Sequence, residues 1–294
     1  MPTQLRWKPA FTTSCLHLAD GLARGLAPVD PGLAEAIGEP AARLKSAIEA
    51  TGAPPGRLWR QLAGLSGSND SARQIAETAL VKTIGRVERL EVVVGNLAGR
   101  IADLQTAVRG YLPNLIEELS LRERPIREQW EARGPGLLWQ VANLTEEQLL
   151  VPEANVLLVQ PAFGGAGQAH MSYNSARIEA VLANPHAELP EVVRLAWLVA
   201  QLQLDLPIHG ENIHADRLPH VARLAMLPPV LRGAEGVELT RYSPELVRQA
   251  VAAWQIAVPP GIDVVAILED WWETYQLGRP PFRVALEALD QMIA

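Results

Sequence analysis

Cysteine is almost absent from this chain of 294 residues, and Cys15 is the only one. A single cysteine cannot form an intrachain disulfide or a cysteine-based metal site, so both are excluded. This cysteine usage favours a reducing compartment. We therefore expect a cytoplasmic protein that folds around an apolar core, since 48% of its residues are hydrophobic.

Long apolar runs are also missing. No charge-free apolar stretch approaches the ~18–20 residues needed to cross a bilayer. Arg6 and Lys8 precede a short segment at 11–18, but Thr, Ser and His interrupt that segment. We therefore predict no signal peptide and no membrane partner.

Lysine is scarce, with three in the chain, and acidic residues outnumber basic ones, so the net charge is −7. Nucleic-acid backbones attract proteins with a basic face, so we expect no nucleic-acid partner. The nucleophile turn Gly-x-Ser-x-Gly does not occur in the sequence either. We expect no cofactor, and the sequence assigns no catalytic residue.

The strongest pattern that is present is a heptad repeat of apolar residues. One series recurs every seven positions without a miss: Leu80, Val87, Val94, Ile101, Val108 and Leu115. A second series lies three positions after the first. It begins at the polar residue Thr83 and continues with Leu90, Leu97, Leu104 and Tyr111. This pattern predicts a helix that lays a narrow apolar seam against a partner.

Glycine and proline limit what the heptad helix can form. The residues concerned are Gly85, Gly95, Gly99, Gly110 and Pro113. Each glycine costs up to about 1 kcal/mol relative to alanine in a helix, and proline kinks or ends a helix. They indicate close helix approach or a break into two segments. We expect a seam inside the chain, against the N-terminal helices or the charged helix at 114–133; self-association through the seam is the alternative.

The predicted fold class is mainly α (α+β), in three regions. Residues 1–69 are expected to form short helices packed on the rest, and residues 70–134 a long helix or helical hairpin. Residues 135–294 are expected to form a mixed helical domain around a small β-hairpin. The boundary is placed at Gly134-Pro135-Gly136, where the composition changes.

The hairpin is predicted at about 155–182, from two apolar runs at 155–161 and 169–182. The glycine-rich segment 163–168 between them could cradle a phosphate if a helix followed it. A strand is predicted to follow instead, so we interpret this segment as a turn. The helix predicted at 191–204 is apolar on nearly all sides and should be buried.

A polar cluster on the hairpin could line a cleft against the buried helix. The ligand-cleft candidates are His170, Tyr173, Asn174, Arg194 and Gln201. A solvent-facing sheet surface is the simpler interpretation. The order of elements, hairpin then buried helix, resembles the zincin-type zinc metallopeptidases, whose helix carries His-Glu-x-x-His. No histidine occurs at 191–204, so the resemblance implies a scaffold that lacks the metal motif.

Two further features suggest binding. His209, His214 and His220 could hold a metal ion, although spacings of five and six match no helical pair or zinc finger. A solvated histidine loop is the alternative. Trp272 is expected to be the exposed member of the pair Trp271-Trp272, and so a candidate interaction residue.

Two classes of function follow from these patterns. The preferred one is a non-enzymatic interaction or structural protein, whose heptad helix packs internally or mediates self-association with a second copy or a protein partner. The alternative is an enzyme or small-molecule binder with a cleft between the 155–182 hairpin and the 191–204 helix. The absence of any strong catalytic motif favours the first.

Overall fold

A computed structural model describes residues 3–68, 71–86 and 90–294. The fold is mainly α (α+β), as the sequence predicts. The chain forms two compact units. One, here the helical unit, comprises Trp7–Glu123 and Leu157–Gly164; the other, the mixed unit, comprises Met1–Arg6, Arg124–Val156 and Gly165–Ala294.

The helical unit is built from the N-terminal helices. Their bounds are α1 Phe11–Ala23, α2 Pro31–Glu49, α3 Pro55–Ser66, α4 Ala72–Ile84 and α5 Leu90–Tyr111. Helix α5 packs against α2 and α4, and α1 packs against α2 and α3. Each helix therefore buries its apolar stripe against helices of the same unit.

The heptad residues form the core of this unit. Leu80, Val94, Leu97, Ile101, Leu104, Val108 and Leu115 are each 2% exposed or less. Val87 lies outside the described residues. The heptad is carried by three helices rather than one, because Gly85 ends α4 with a φ of 76°, a conformation that non-glycine residues rarely adopt, and Leu115 begins the helix that follows α5. Of the other heptad residues, Thr83 and Leu90 are half-buried and Tyr111 is exposed, and the Tyr111 hydroxyl donates a hydrogen bond to Asp30 at 2.8 Å.

Helix α6 runs continuously over Leu115–Leu144, through Gly134-Pro135-Gly136. The change of composition at these residues therefore does not interrupt the helix. A helix can contain both glycine and proline, at a cost in stability. The division of the chain into three folding regions stays a prediction.

Four strands form one sheet in the order β1-β2-β4-β3. Their bounds are β1 Gln4–Pro9, β2 Glu153–Val159, β3 Gly167–His170 and β4 Ser175–Glu179. The strands β1 and β2 begin in the mixed unit and end in the helical unit. The prediction of only short helices over residues 1–69 is wrong for β1, whose half-buried Leu5 and Trp7 alternate with exposed polar residues, as in a strand.

The hairpin differs from the prediction in its pairing. Strands β3 and β4 pair antiparallel, with Gly167 opposite Ile178 and His170 opposite Ser175. A 3-10 turn at Met171–Tyr173 and a left-handed Asn174, with φ of 44°, connect them. The single strand predicted at 169–182 is therefore wrong, because asparagine tolerates the left-handed conformation that closes a turn there.

The helices of the mixed unit follow the hairpin. Their bounds are α7 Glu191–Ala200, α8 Pro207–Gly210, α9 Leu218–Ala225, α10 Leu227–Gly236, α11 Pro244–Ala253, α12 Val264–Gly278 and α13 Phe282–Met292. Every residue of α7 is buried, as predicted. Its Trp197 stacks on Trp254, with ring centroids 4.8 Å apart. Among the described helices, none combines the length and apolarity needed to cross a membrane.

Candidate functional site

Three of the predicted cleft residues belong to α7, to its C-terminal end or to a strand that it packs against: Arg194 lies on α7, Gln201 follows its last residue, and His170 ends β3. His170, Arg194 and Gln201 are buried, and Arg194 is only 1% exposed. Gln201 donates a hydrogen bond from Nε2 to the Trp197 carbonyl, one turn back in the chain. These three side chains thus face the interior of the mixed unit instead of an open cleft.

Arg194 is the centre of a buried charge cluster, defined here as Glu179, Glu191 and Arg194. Its guanidinium Nη2 donates to Glu191 Oε2 in a buried ion pair. Glu179 Oε2 accepts hydrogen bonds from the backbone N–H groups of Gly165, at 2.7 Å, and Ala166, at 3.1 Å. The buried carboxylates are therefore hydrogen-bonded, as burial of charge requires.

The same contacts bear on the glycine-rich segment. The amides of Gly165 and Ala166, which a phosphate would need, already donate to the Glu179 carboxylate. Gly165 has a φ of 98°, and a Cβ atom on it would lie 2.6 Å from Arg194 Nη1. Glycine is required at this position both by the backbone conformation and by the approach of the guanidinium.

Burial sets the protonation of the cluster. Burial raises the pKa of Glu191 to about 7, while Arg194 opposes the change and Glu179 adds to it. Burial also lowers the pKa of Arg194, against the attraction of both glutamates. His170 has a pKa well below its ordinary value, first because of burial and then because of Arg177 and Arg223. It is therefore neutral at pH 7.

Tyr173 and Asn174 belong to the hairpin turn. Tyr173 is half-buried, and Asn174 donates from Nδ2 to the Glu153 carbonyl at 2.8 Å. This bond ties the turn to the start of β2. These positions give Tyr173 and Asn174 a role in the structure of the turn and do not indicate a ligand contact.

The three candidate metal-binding histidines lie in different settings. His209 is buried in α8, His214 is exposed, and His220 is half-buried in α9. The His214 Nδ1 accepts a hydrogen bond from the Asp216 N–H at 3.3 Å, as in a turn. Over residues 3–68, 71–86 and 90–294, no three His, Cys, Asp or Glu side chains group together as metal ligands.

Trp272 was expected to be exposed, and that expectation is wrong, since it is 6% exposed. Helix α12 packs against α11 and also against α13, so two of its faces are covered. The indole of Trp272 stacks on Tyr275, with centroids 5.4 Å apart. One edge lines a cavity of about 570 Å³, together with Arg232, Tyr242 and Glu269.

The exposed tryptophan is Trp139, on α6, which the sequence reasoning did not single out. It is 63% exposed, and it borders a cavity of about 450 Å³ in the mixed unit. We call this cavity the Trp139 pocket; it is lined mainly by Thr3, Pro135, Leu138, Leu150, Val151 and Pro152. A sequence signal was available, since Leu137, Leu138 and Val141 form the apolar stripe of the helix and Trp139 falls outside it.

The Trp139 pocket has an apolar floor and a polar rim. Leu138 and Val151 are buried beneath it, while Asn143 and Glu147 are exposed at its edge. Thr3 donates from Oγ1 to the Val151 carbonyl at 2.7 Å, which fixes one wall. An apolar centre inside a polar rim is the usual anatomy of a binding site on a protein surface.

Comparison of the chain with protein-family models, with curated proteins and with solved structures found no match.

Proposed function

We propose that the chain is a non-enzymatic interaction protein that holds an apolar side chain of a protein partner in the Trp139 pocket. The observation that carries the proposal is the 63% exposure of Trp139 beside an apolar cavity. Tryptophan is among the residues most enriched at the energetic centres of interfaces, because it buries a large rigid surface.

The exposure of Trp139 favours a protein partner over a small molecule. A small ligand in its pocket is usually enclosed over 70–90% or more of its surface. An occupant of the Trp139 pocket alone would leave most of the indole in water. A partner whose surface extends beyond the pocket would cover the indole as well, and would gain the free energy of burying it.

The heptad supports the proposal because most of its apolar residues are not available for contact with a partner. Most of its described apolar members are buried inside the helical unit, where α5 packs against α2 and α4. Self-association through this seam would require the unit to open and expose its own core. The internal role of the heptad is therefore part of the proposal, and the partner contact is assigned to Trp139.

The test is selection from a library of random 12-residue peptides displayed on phage, with the folded chain as the target. We expect enriched sequences that carry an aromatic or leucine anchor and bind the wild-type chain. Trp139→Ala should weaken their binding about tenfold or more, as loss of a central interface tryptophan does.

Leu277→Ala is the matched control, because Leu277 is an 84% exposed apolar side chain of the mixed unit that does not line the pocket. It should leave the affinity of the selected peptides unchanged. Equal weakening by both substitutions would mean non-specific apolar adhesion. A selection that enriches no sequence, or peptides that bind Trp139→Ala normally, would overturn the proposal.

A second candidate is an enzyme or small-molecule binder with a cleft between the 155–182 hairpin and the 191–204 helix, including a zincin-like scaffold without its metal motif. The observation in its favour is the pKa of Glu191, raised to about 7, since perturbed carboxyl groups concentrate at catalytic sites. Hydrolysis of p-nitrophenyl acetate separates the two candidates. Turnover that Glu191→Gln abolishes would favour the enzyme, whereas the interaction protein should match the buffer rate.

A further inference from the structure

A second cavity, of about 510 Å³, lies in the helical unit. We call it the basic cavity, and the lining residues used below are Lys8, Phe11, Arg109, Leu112, Ile116 and Glu117. The start of α1, the last two turns of α5 and the start of α6 supply most of its wall. It shares no residue with the Trp139 pocket.

Arg109 is held in position at the basic cavity by an aromatic ring. Its guanidinium carbon lies 4.8 Å from the centroid of the Phe11 ring, within the range of a cation–π contact. This contact leaves the N–H donors at the edge of the guanidinium plane available to an anion. A planar fork of donors that is already oriented loses less entropy when it binds a carboxylate or phosphate.

Lys8 supplies the second positive charge. Its ammonium donates to the Gly67 carbonyl at 2.9 Å, which uses one of three donors. Within the described part of the chain, neither Lys8 nor Arg109 forms an ion pair with a carboxylate at 4.0 Å or less. In a protein of net charge −7, two cations without carboxylate partners at one cavity create a local site of opposite sign.

The remainder of the wall has apolar side chains beside two polar ones, Thr12 and Gln105, which are hydrogen-bonded to each other. Leu112 is half-buried and Ile116 is 39% exposed, and prolines 9 and 113 complete this side. Glu117 is the one carboxylate that lines the cavity, and it is exposed. A ligand that complements the lining of the basic cavity has an anionic head group and an apolar chain.

We propose that the basic cavity binds a small amphiphilic acid, whose carboxylate lies between Arg109 and Lys8 and whose apolar chain lies on Leu112 and Ile116. The site is independent of the Trp139 pocket and of any protein partner. The helical unit therefore has a ligand site that is separate from the pocket in the mixed unit.

The test is isothermal titration of the full chain with octanoate and with octylammonium, at low salt and pH 7. The two probes share the same apolar chain and differ in the sign of the head group. We expect octanoate to bind with a Kd of up to about 10 mM, and we expect added salt to weaken this binding. Octylammonium should not bind. Equal binding of both probes, or no binding of octanoate, would overturn the proposal.

Charge variants test the residues. Arg109→Gln should weaken octanoate binding about fivefold, and Lys8→Gln by less, because an ammonium is more strongly hydrated than a guanidinium. Arg109→Lys should recover only part of that loss, since it restores the charge without the planar fork of donors. Glu117→Gln should strengthen binding about twofold, since it removes a repelling charge from the wall.

Two variants of the same unit serve as controls. Lys45→Gln removes an ammonium that also donates to a backbone carbonyl, that of Ala23, and Arg100→Gln removes a cation of α5 that pairs with Asp103. Neither residue lines the basic cavity, so both should bind octanoate as the wild type does. If they weaken binding as much as Arg109→Gln, net charge explains the binding and the assigned site is wrong. Thermal melting confirms that each variant is folded before titration.

Discussion

In the helical unit the buried polar side chains are hydroxyl groups and one imidazole, whereas the mixed unit buries two arginines and two glutamates. The side chains concerned are Thr12, Thr13, Ser14, His17 and Ser66 in the first, and Arg177, Glu179, Glu191 and Arg194 in the second. Among the described residues, every buried Arg or Glu thus lies in the mixed unit. The two units reach stability in different ways.

The difference has a physical consequence. An apolar core is stabilised in proportion to the area removed from water, and it tolerates small rearrangement. A buried charge network is favourable only when each charge keeps its partner, so it fixes one geometry of the surrounding elements. We expect the mixed unit to respond to pH and to loss of a single charge, and the helical unit to respond to loss of apolar volume.

The largest expected effect comes from removing the centre of the charge cluster. Arg194→Met leaves Glu191 and Glu179 buried without their guanidinium, so the free energy of unfolding should fall by about 3–5 kcal/mol. Urea unfolding followed by tryptophan fluorescence measures it. A loss below about 1 kcal/mol would mean that the cluster contributes little to the stability of the mixed unit.

The corresponding test in the helical unit removes volume instead of charge. Leu104→Ala should cost about 2–5 kcal/mol, because Leu104 is fully buried in the heptad core. Val92→Ala, on the same helix but 70% exposed, is the control and should cost less than about 0.5 kcal/mol. Similar losses for the two variants would contradict the internal seam.

Cys15 reports on the same unit independently. It is buried, and burial raises the pKa of its thiol to about 12, so the native chain should not react with Ellman's reagent at pH 8. Reaction should occur only through opening of the helical unit, and Leu104→Ala should accelerate it. Rapid labelling of the native wild type would show that α1 is not packed as described.

The pH dependence of stability is smaller and has two opposing sources. Folding raises the pKa of Glu191 from 4.5 to about 7, so the folded chain keeps a proton that the unfolded chain has released. This contribution is fully present below pH 4.5 and is lost as the pH rises to about 7, by up to about 3 kcal/mol. Folding lowers the pKa of His170 below 6.5, so its contribution is lost as the pH falls below 6.5.

Single variants separate the two sources. Glu191→Gln should flatten the fall in stability between pH 4.5 and 7 and leave the loss of stability in acid that His170 causes. His170→Asn should do the reverse. Unfolding curves at a series of pH values measure both, and unchanged pH profiles in both variants would contradict the buried setting of these groups.

The smallest expected effect on stability is at the Trp139 pocket. Trp139→Ala should change the free energy of unfolding by less than about 0.5 kcal/mol, since the indole is largely in water. Its effect on peptide binding should be large by comparison. A variant that loses stability and binding together would make Trp139 a structural residue.

Local patterns predicted the parts of the fold that depend on local sequence. Helix α7 is buried on all sides, as the apolar composition of 191–204 predicts. The left-handed Asn174 was missed because the residues around it read as one alternating strand. His170, Arg194 and Gln201 are buried, and sequence alternation could not show that partners remote in sequence would bury them.

The two tryptophans illustrate the limit most clearly. The exposure of Trp272 depends on whether α11 and α13 cover two faces of α12. The sequence of α12 alone does not show which helices pack against it. Trp139 lies outside the apolar stripe of its own helix, so its exposure could have been predicted from that helix alone.

Fluorine NMR of the chain labelled with 5-fluorotryptophan tests the central proposal most directly. The eight tryptophans should give eight resonances, and Trp139→Phe identifies the one from Trp139. On addition of a peptide selected from the library, we predict that the Trp139 resonance shifts while that of Trp197, buried in α7, stays in place. A Trp139 resonance that does not move when the peptide binds would contradict the assignment of the partner site.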